Sequence, residues 1–140
     1  MSKPVIIYAE NELPQRMIMM RSLGNDFVVK EFPDGEPALE AIRQLVKAGT
    51  PPDAILLDNK MTKMDGLDVA QALKTDGIDL PTILATSTPE EVRDVATRHE
   101  LKITVVDKDS PETIVHALKQ ALAAQDKPAQ RGTGGASPSR

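Results

Sequence analysis

The sequence has no cysteine and no tryptophan in its 140 residues. Without cysteine there is no disulfide framework, no thiolate metal site and no thiol nucleophile. The aromatic residues are Tyr8, Phe27 and Phe32, too few to stack a series of nucleic-acid bases. Two histidines, His99 and His116, cannot make a histidine-rich metal centre. Basic residues are not in excess: 17 Lys and Arg stand against 21 Asp and Glu, a formal charge of −4. Nucleic-acid binding needs a basic patch, so nucleic acid is not an expected partner. No apolar run approaches the roughly 18 residues that would suggest a membrane span. The opening Met1-Ser2-Lys3-Pro4 and the short apolar run before Glu10 do not read as a signal peptide. A cytoplasmic location away from membranes is the expectation.

What is present suffices for one ordinary domain. Hydrophobic residues make up 40% of the chain, enough for a real core. The last stretch, residues 126–140, reads DKPAQRGTGGASPSR and has Ala129 and Ala136 as its apolar side chains. Such a segment buries too little surface to offset its ordering entropy. The expected organisation is a domain over residues 1–125 and a disordered tail over 126–140.

Two periodicities alternate along the body. Val5-Ile6-Ile7-Tyr8, Phe27-Val28-Val29 with Phe32, Ala54-Ile55-Leu56-Leu57, Thr82-Ile83-Leu84-Ala85-Thr86 and Ile103-Thr104-Val105-Val106 are short β-prone runs. Continuous apolar runs of this length fit strands buried on both faces. Between them lie helical stripes: Leu13, Met17, Met20 and Leu23; Ala38, Ala41, Ile42, Leu45 and Val46; Leu67, Ala70 and Leu73; Val92, Val95 and Ala96; Ile114, Ala117, Leu118, Ala121 and Leu122. Thr88-Pro89-Glu90-Glu91 offers an N-cap, a proline at the first helical position and a capping-box glutamate. Ser110-Pro111 repeats the first two. The order βαβαβαβαβα predicts an α/β fold, a doubly wound five-stranded parallel sheet with five helices. Function in such a sheet sits at the carboxyl ends of the strands.

The residues at those ends are chemically suggestive. Glu10 follows the first run, Asp58 closes the third, Thr86 closes the fourth and Lys108 follows the fifth. Together they suit phosphoryl transfer. Asp58 can act as a nucleophile and form an acyl phosphate. Glu10 and Asp58 can share a divalent cation, and Mg²⁺ favours one or two carboxylates with phosphate oxygens and water. Lys108 can neutralise the transferring group as a point charge. Thr86 can donate a hydrogen bond to a phosphoryl oxygen.

These residues lie in stretches that resemble the receiver domain of two-component response regulators. Asp53-Ala-Ile-Leu-Leu-Asp58-Asn-Lys-Met-Thr-Lys-Met-Asp-Gly66-Leu is similar to that family's phosphoacceptor strand and M-P-x-M-D-G loop. Asp34-Gly-Glu-Pro-Ala-Leu-Glu-Ala-Ile42 resembles its second-helix entry, and Leu80-Pro-Thr-Ile-Leu-Ala-Thr86-Ser its fourth strand. The resemblance runs in order over about residues 4–124.

It implies a flavodoxin-like receiver fold, Asp58 as phosphoacceptor, Thr86 as switch hydroxyl and Lys108 as phosphate-binding lysine. It implies Mg²⁺ held by Glu10, Asp58 and the backbone carbonyl of Lys60. It implies a histidine kinase or phosphotransfer protein as donor. A downstream protein would be met through the face of the fourth helix, fifth strand and fifth helix. The chain would signal by contact, without an output domain. It would not be a turnover enzyme, beyond self-phosphotransfer and autodephosphorylation.

The sequence also departs from the family pattern. Ala9 stands where the first acid of the metal-binding pair is expected, Thr62 replaces the loop proline, Asp109 follows the lysine, and Val105 replaces an aromatic. Ala9 weakens the expected Mg²⁺ shell unless Glu12 or water substitutes. Asp109 is placed to pair with Lys108 and compete for its charge. The Lys60 side chain would bring a cation close to the metal site and oppose Mg²⁺, and Ala9, Lys60, Asp109 and Val105 favour an alternative, a pseudo-receiver that binds partners without phosphorylation. A third reading, an aspartyl-phosphate hydrolase of the haloacid dehalogenase type, rests on a faint D-x-D-x-T likeness that Lys60 breaks.

Overall fold

The computed structural model describes residues 2–125, in which five strands alternate with five helices. They are β1 (Val5–Ala9), α1 (Leu13–Leu23), β2 (Val28–Phe32), α2 (Gly35–Lys47), β3 (Ala54–Asp58), α3 (Gly66–Thr75), β4 (Thr82–Thr86), α4 (Pro89–Arg98), β5 (Thr104–Asp107) and α5 (Pro111–Gln125). The strands pair in parallel in the order β2-β1-β3-β4-β5. The expected doubly wound parallel sheet is therefore present. The tail expected over residues 126–140 lies outside the described residues.

Burial explains which runs became strands. Every residue of β3 and β4 is buried, as their unbroken apolar sequences require of central parallel strands. β2 is an edge strand and much of it is exposed. Alternate strand residues point to opposite faces, which divides the core in two. On one face Ile6, Tyr8, Leu56 and Ile83 meet Met19 and Leu23 of α1 and Ile114 and Leu118 of α5. On the other, Ile7, Ile55 and Leu57 meet Ala38, Leu39 and Ile42 of α2 and Val69 and Leu73 of α3. α4 rests on a smaller cluster of Leu84, Val92 and Val105.

One helix face differs from the expected stripe. Met19 and Leu23 are the buried residues of α1, whereas Leu13 and Met17 are more than half exposed and Ile18 is nearly so. The buried face is rotated by roughly a quarter-turn from the predicted one. Met17-Ile18-Met19-Met20 is apolar all round, so its periodicity has no unique phase. Packing against the sheet and α5 chooses the phase instead. The predicted capping box at Thr88 also does not form. Thr88 is the N-cap of α4 without a side-chain cap, and its hydroxyl lies 3.3 Å from Thr86 Oγ1. At α5 the expected cap is present: the Thr113 N–H donates to Ser110 Oγ at 3.3 Å.

The turn after β3 is sterically tight. A Cβ on Gly66 would stand 2.8 Å from the Asp58 carbonyl oxygen and 3.2 Å from Asn59 Cα. Gly66→Ala is therefore expected to cost about 1–3 kcal/mol through overpacking. Urea denaturation should show a lower midpoint, and an unchanged midpoint would contradict this packing.

Candidate functional site

The carboxyl edge of the sheet gathers buried charge. Asp58, the last residue of β3, and Glu10, just past β1, are each only 4% exposed. Lys108 follows β5, and its Nζ stands 2.9 Å from Asp58 Oδ1. The backbone places this lysine firmly, because its N–H donates to the Thr86 carbonyl at 3.0 Å. Glu10 is held similarly: its N–H donates to the Phe32 carbonyl at 3.0 Å, and its Oε2 accepts from the Glu12 N–H at 3.1 Å. Glu10, Asp58 and Lys108 line one small pocket with Tyr8, Ile18 and Met19.

The electrostatics follow from burial. Burial pushes the Asp58 carboxyl upward, and the hydrogen bond and charge of Lys108 recover only part of that cost. Burial and then the charge of Asp58 push Glu10 upward as well. Burial pulls Lys108 down, but the Asp58 hydrogen bond and charge outweigh it and the net shift is upward. Burial, followed by the charges of Glu10 and Asp58, raises the Tyr8 phenol. Two buried carboxylates thus share one ammonium, a surplus of negative charge that a cation would relieve.

Three predicted residues, Asp58, Lys108 and Glu10, therefore come together. Thr86 is adjacent but turned away. It lies one position beyond Ala85, the β4 partner of Asp58. Its buried hydroxyl accepts from the Thr88 N–H at 3.1 Å, at the start of α4. Lys60 is exposed, and its backbone carbonyl faces the Asn11 amide. One secondary expectation is corrected. Asp109 does not take the lysine: its N–H donates to Asp107 Oδ1 at 2.9 Å, while the Lys108 ammonium goes to Asp58. Glu12, named as a possible substitute for the missing acid, is the exposed N-cap residue of α1, and its charge reaches Glu10, Asp58 and Lys108.

Sequence reasoning missed the residues that shape the loops. Asp34, buried at the end of the β2–α2 turn, accepts from the Lys63 N–H and the Met64 N–H, both at 2.9 Å. It also accepts from its neighbour Gly35 at 2.7 Å. It thereby holds the β3–α3 loop that follows Asp58. Burial pulls the Asp34 carboxyl upward, but the backbone donors of Met64, Lys63, Gly35 and Glu36 outweigh it and set it below its ordinary value. The Asp-Gly pair was a visible turn signal, but its distant loop partner was not. Asn59 closes the same loop, accepting from the Gly66 N–H through its carbonyl at 2.8 Å and from the Leu67 N–H through Oδ1 at 3.3 Å.

The donor set fits Mg²⁺. Glu10, Asp58 and the Lys60 carbonyl are all hard oxygen donors, and the two carboxylates are short of positive charge. Among the described residues no group of three or more His, Cys, Asp or Glu side chains is placed to hold a metal. No helix among the described residues is long and apolar enough to cross a membrane.

Comparison with known proteins agrees with this geometry. The family model of the response regulator receiver domain matches residues 6–119. The response regulator MprA of Mycobacterium ulcerans is 36% identical over 83 residues, which is 59% of this chain and 34% of that protein. MprA of Mycobacterium avium is 35% identical over the same proportions. The chain thus spans about a third of the length of these curated relatives. Among solved structures, the receiver domain of the response regulator NarL from Mycobacterium tuberculosis superposes with a TM-score of 0.70 at 26% identity, covering 91% of this chain and all (100%) of that one. The phosphorylated cyanobacterial phytochrome response regulator RcpA has the same fold, with a TM-score of 0.72 at 19% identity over 90% of this chain and 98% of that one.

The Asp34 hydrogen bonds make a pH-dependent prediction. A carboxyl held below its unfolded value contributes stability above that unfolded value and loses it as pH falls through the folded one. Asp34→Asn removes the charge and opposes one loop N–H with an amide N–H. It is expected to cost about 1–3 kcal/mol at neutral pH. Urea titrations should show the two proteins converging in acid, below the ordinary aspartate range of about 4. A pH-independent difference would contradict this role.

Proposed function

This chain belongs to the response regulator receiver domain family, and from that premise we propose that it accepts a phosphoryl group on Asp58. The donor is a phosphohistidine of a histidine kinase or phosphotransfer protein. The observation that carries the reading is the buried Asp58 carboxylate with the Lys108 ammonium 2.9 Å from its Oδ1. Lys108 occupies Oδ1, so Oδ2 is the oxygen presented for attack. The new bond joins Asp58 to phosphorus, the phosphorus–nitrogen bond breaks, and imidazole leaves. Lys108 stabilises the negative charge on the transferring group from a fixed, partly dehydrated position. Mg²⁺ held by Glu10, Asp58 and the Lys60 carbonyl would supply further charge neutralisation. The chain acts as a phosphoacceptor, with self-phosphotransfer and autodephosphorylation as its only chemistry.

The rim of the site supports a docking role for α1. Leu13, Met17 and Ile18 are exposed apolar residues immediately after Glu10, where a donor must approach. The signal leaves on another face. For Thr86 to bond the phosphoryl group, its hydroxyl must leave the Thr88 N–H at the start of α4. α4 rests on the smallest of the three core clusters and so is the helix most easily shifted. Arg93 of α4 donates to the Val105 carbonyl on β5 at 3.1 Å, which couples the helix to the edge strand. A downstream protein would read the α4, β5 and α5 face, with Val105 packed in place where the family has a ring. Cytoplasmic signalling is the setting we propose.

Incubation with acetyl phosphate and Mg²⁺, followed by intact-mass measurement, tests the phosphoacceptor. One phosphoryl group should appear on the wild type and none on Asp58→Ala. Lys108→Ala should slow labelling by about 10²-fold, the usual cost of losing one transition-state donor. Equal labelling of wild type and Asp58→Ala would overturn Asp58 as the acceptor, whereas no Mg²⁺ binding together with partner binding that survives Asp58→Asn would select a phosphorylation-independent binding module.

A further inference from the structure

Two departures from the family pattern flank the Glu10 and Lys60 oxygens that the Asn11 amide faces, one beside Glu10 in sequence and one in the Lys60 loop. Ala9 removes a carboxylate, and Thr62 introduces a hydroxyl where the loop usually has proline. Asn11 follows Ala9 by two residues, and its amide reaches Thr62. One end of its amide stands 3.2 Å from the Lys60 carbonyl oxygen and 3.3 Å from Glu10 Oε2. The other end stands 3.4 Å from Thr62 Oγ1. Both inward neighbours are acceptors only, and they are two of the groups proposed to hold Mg²⁺.

An asparagine amide has two nearly isosteric ends with opposite hydrogen-bonding character. With nitrogen inward, it donates to the Lys60 carbonyl and to Glu10 Oε2. With oxygen inward, three oxygens converge: the Asn11 amide, the Glu10 carboxylate and the Lys60 carbonyl. Three acceptors so close repel one another unless a cation lies among them. Oxygens bound to Mg²⁺ at 2.0–2.1 Å stand about 3 Å apart in an octahedron. The observed spacings are within a few tenths of an ångström of that value.

We propose that Asn11 is a reversible ligand of the cation site, its amide oxygen replacing the carboxylate lost at Ala9. The proposal rests on the receiver reading of the same site. When no cation is bound, the amide turns its nitrogen inward and bridges the two remaining ligands, keeping them in place. When Mg²⁺ binds, the amide rotates by about half a turn about its last side-chain bond and offers oxygen. Thr62 makes both orientations tolerable. Its hydroxyl donates to the amide oxygen in the first and accepts from the amide nitrogen in the second. A proline at position 62 could do neither. Asn11 is neutral, so it adds a ligand without adding a third negative charge beside Glu10 and Asp58.

Mg²⁺ titration of the full chain, followed by calorimetry and by amide NMR including the Asn11 side-chain signals, tests this directly. Mg²⁺ should shift the Asn11 side-chain NH₂ resonances as they exchange Lys60 and Glu10 for Thr62. Asn11→Ala should weaken Mg²⁺ binding by at least about tenfold, as losses around a metal site commonly do. Thr62→Val should weaken it less, and Asn11→Asp should strengthen it. Unchanged or tighter binding by Asn11→Ala, with binding lost in Asp58→Ala, would overturn the Asn11 role and leave the receiver reading standing. Failure of the wild type to bind Mg²⁺ would also overturn it, and acetyl phosphate labelling of the same sample judges the receiver reading separately.

Discussion

Two carboxylates buried beside one ammonium govern this structure. Removing a carboxylate from water costs several kcal/mol unless charge and hydrogen bonds compensate. Asp58 obtains its compensation from Lys108, which reaches it from the far side of β4. Glu10 obtains less, from the Glu12 N–H and from the general field of the lysine. The sheet order makes this concentration possible, because β1 and β3 are neighbours, β3 ends in Asp58 and Glu10 directly follows β1. The same burial leaves a surplus of negative charge at this edge beside a fixed lysine, and on the proposed phosphoacceptor reading that surplus is what a cation would relieve.

The surrounding loops divide into held and releasable parts. The β3–α3 loop is pinned at several points, by Asp34 on Lys63 and Met64 and by Asn59 on Gly66 and Leu67. This loop carries the Lys60 carbonyl, so pinning it serves positional precision. The β4–α4 connection is tied differently. Thr86 and Thr88 hold one another at the start of α4, and the helix beyond sits on a small cluster. In the proposed function, this pinned loop beside a lightly anchored helix is the arrangement that would let a local charge change become a movement elsewhere.

Much of this was legible from residue order. β3 and β4 were unambiguous because central parallel strands must be apolar on both faces. Asp58, Glu10 and Lys108 followed from that, since strand ends in such a sheet open on one edge. What escaped was set by packing or by distant partners. The phase of α1 could not be read where Met17 through Met20 are all apolar. Asp34 acts 29 and 30 residues away, through backbone N–H groups that carry no side-chain signature. Thr88 looked like a helix cap, but its hydroxyl is drawn to Thr86. Asp109 looked like a competitor for Lys108, but the buried charge of Asp58 is the stronger demand.

The most direct measurement is a structure of the chain with Mg²⁺ and beryllofluoride, a mimic of the phosphoryl group. The phosphoacceptor account predicts beryllium bonded to an Asp58 carboxylate oxygen and Lys108 contacting fluoride. It also predicts that the Thr86 hydroxyl leaves the Thr88 N–H for the mimic. An Asp58 that stays paired with Lys108 and free of beryllium, with Thr86 still on Thr88, would contradict it.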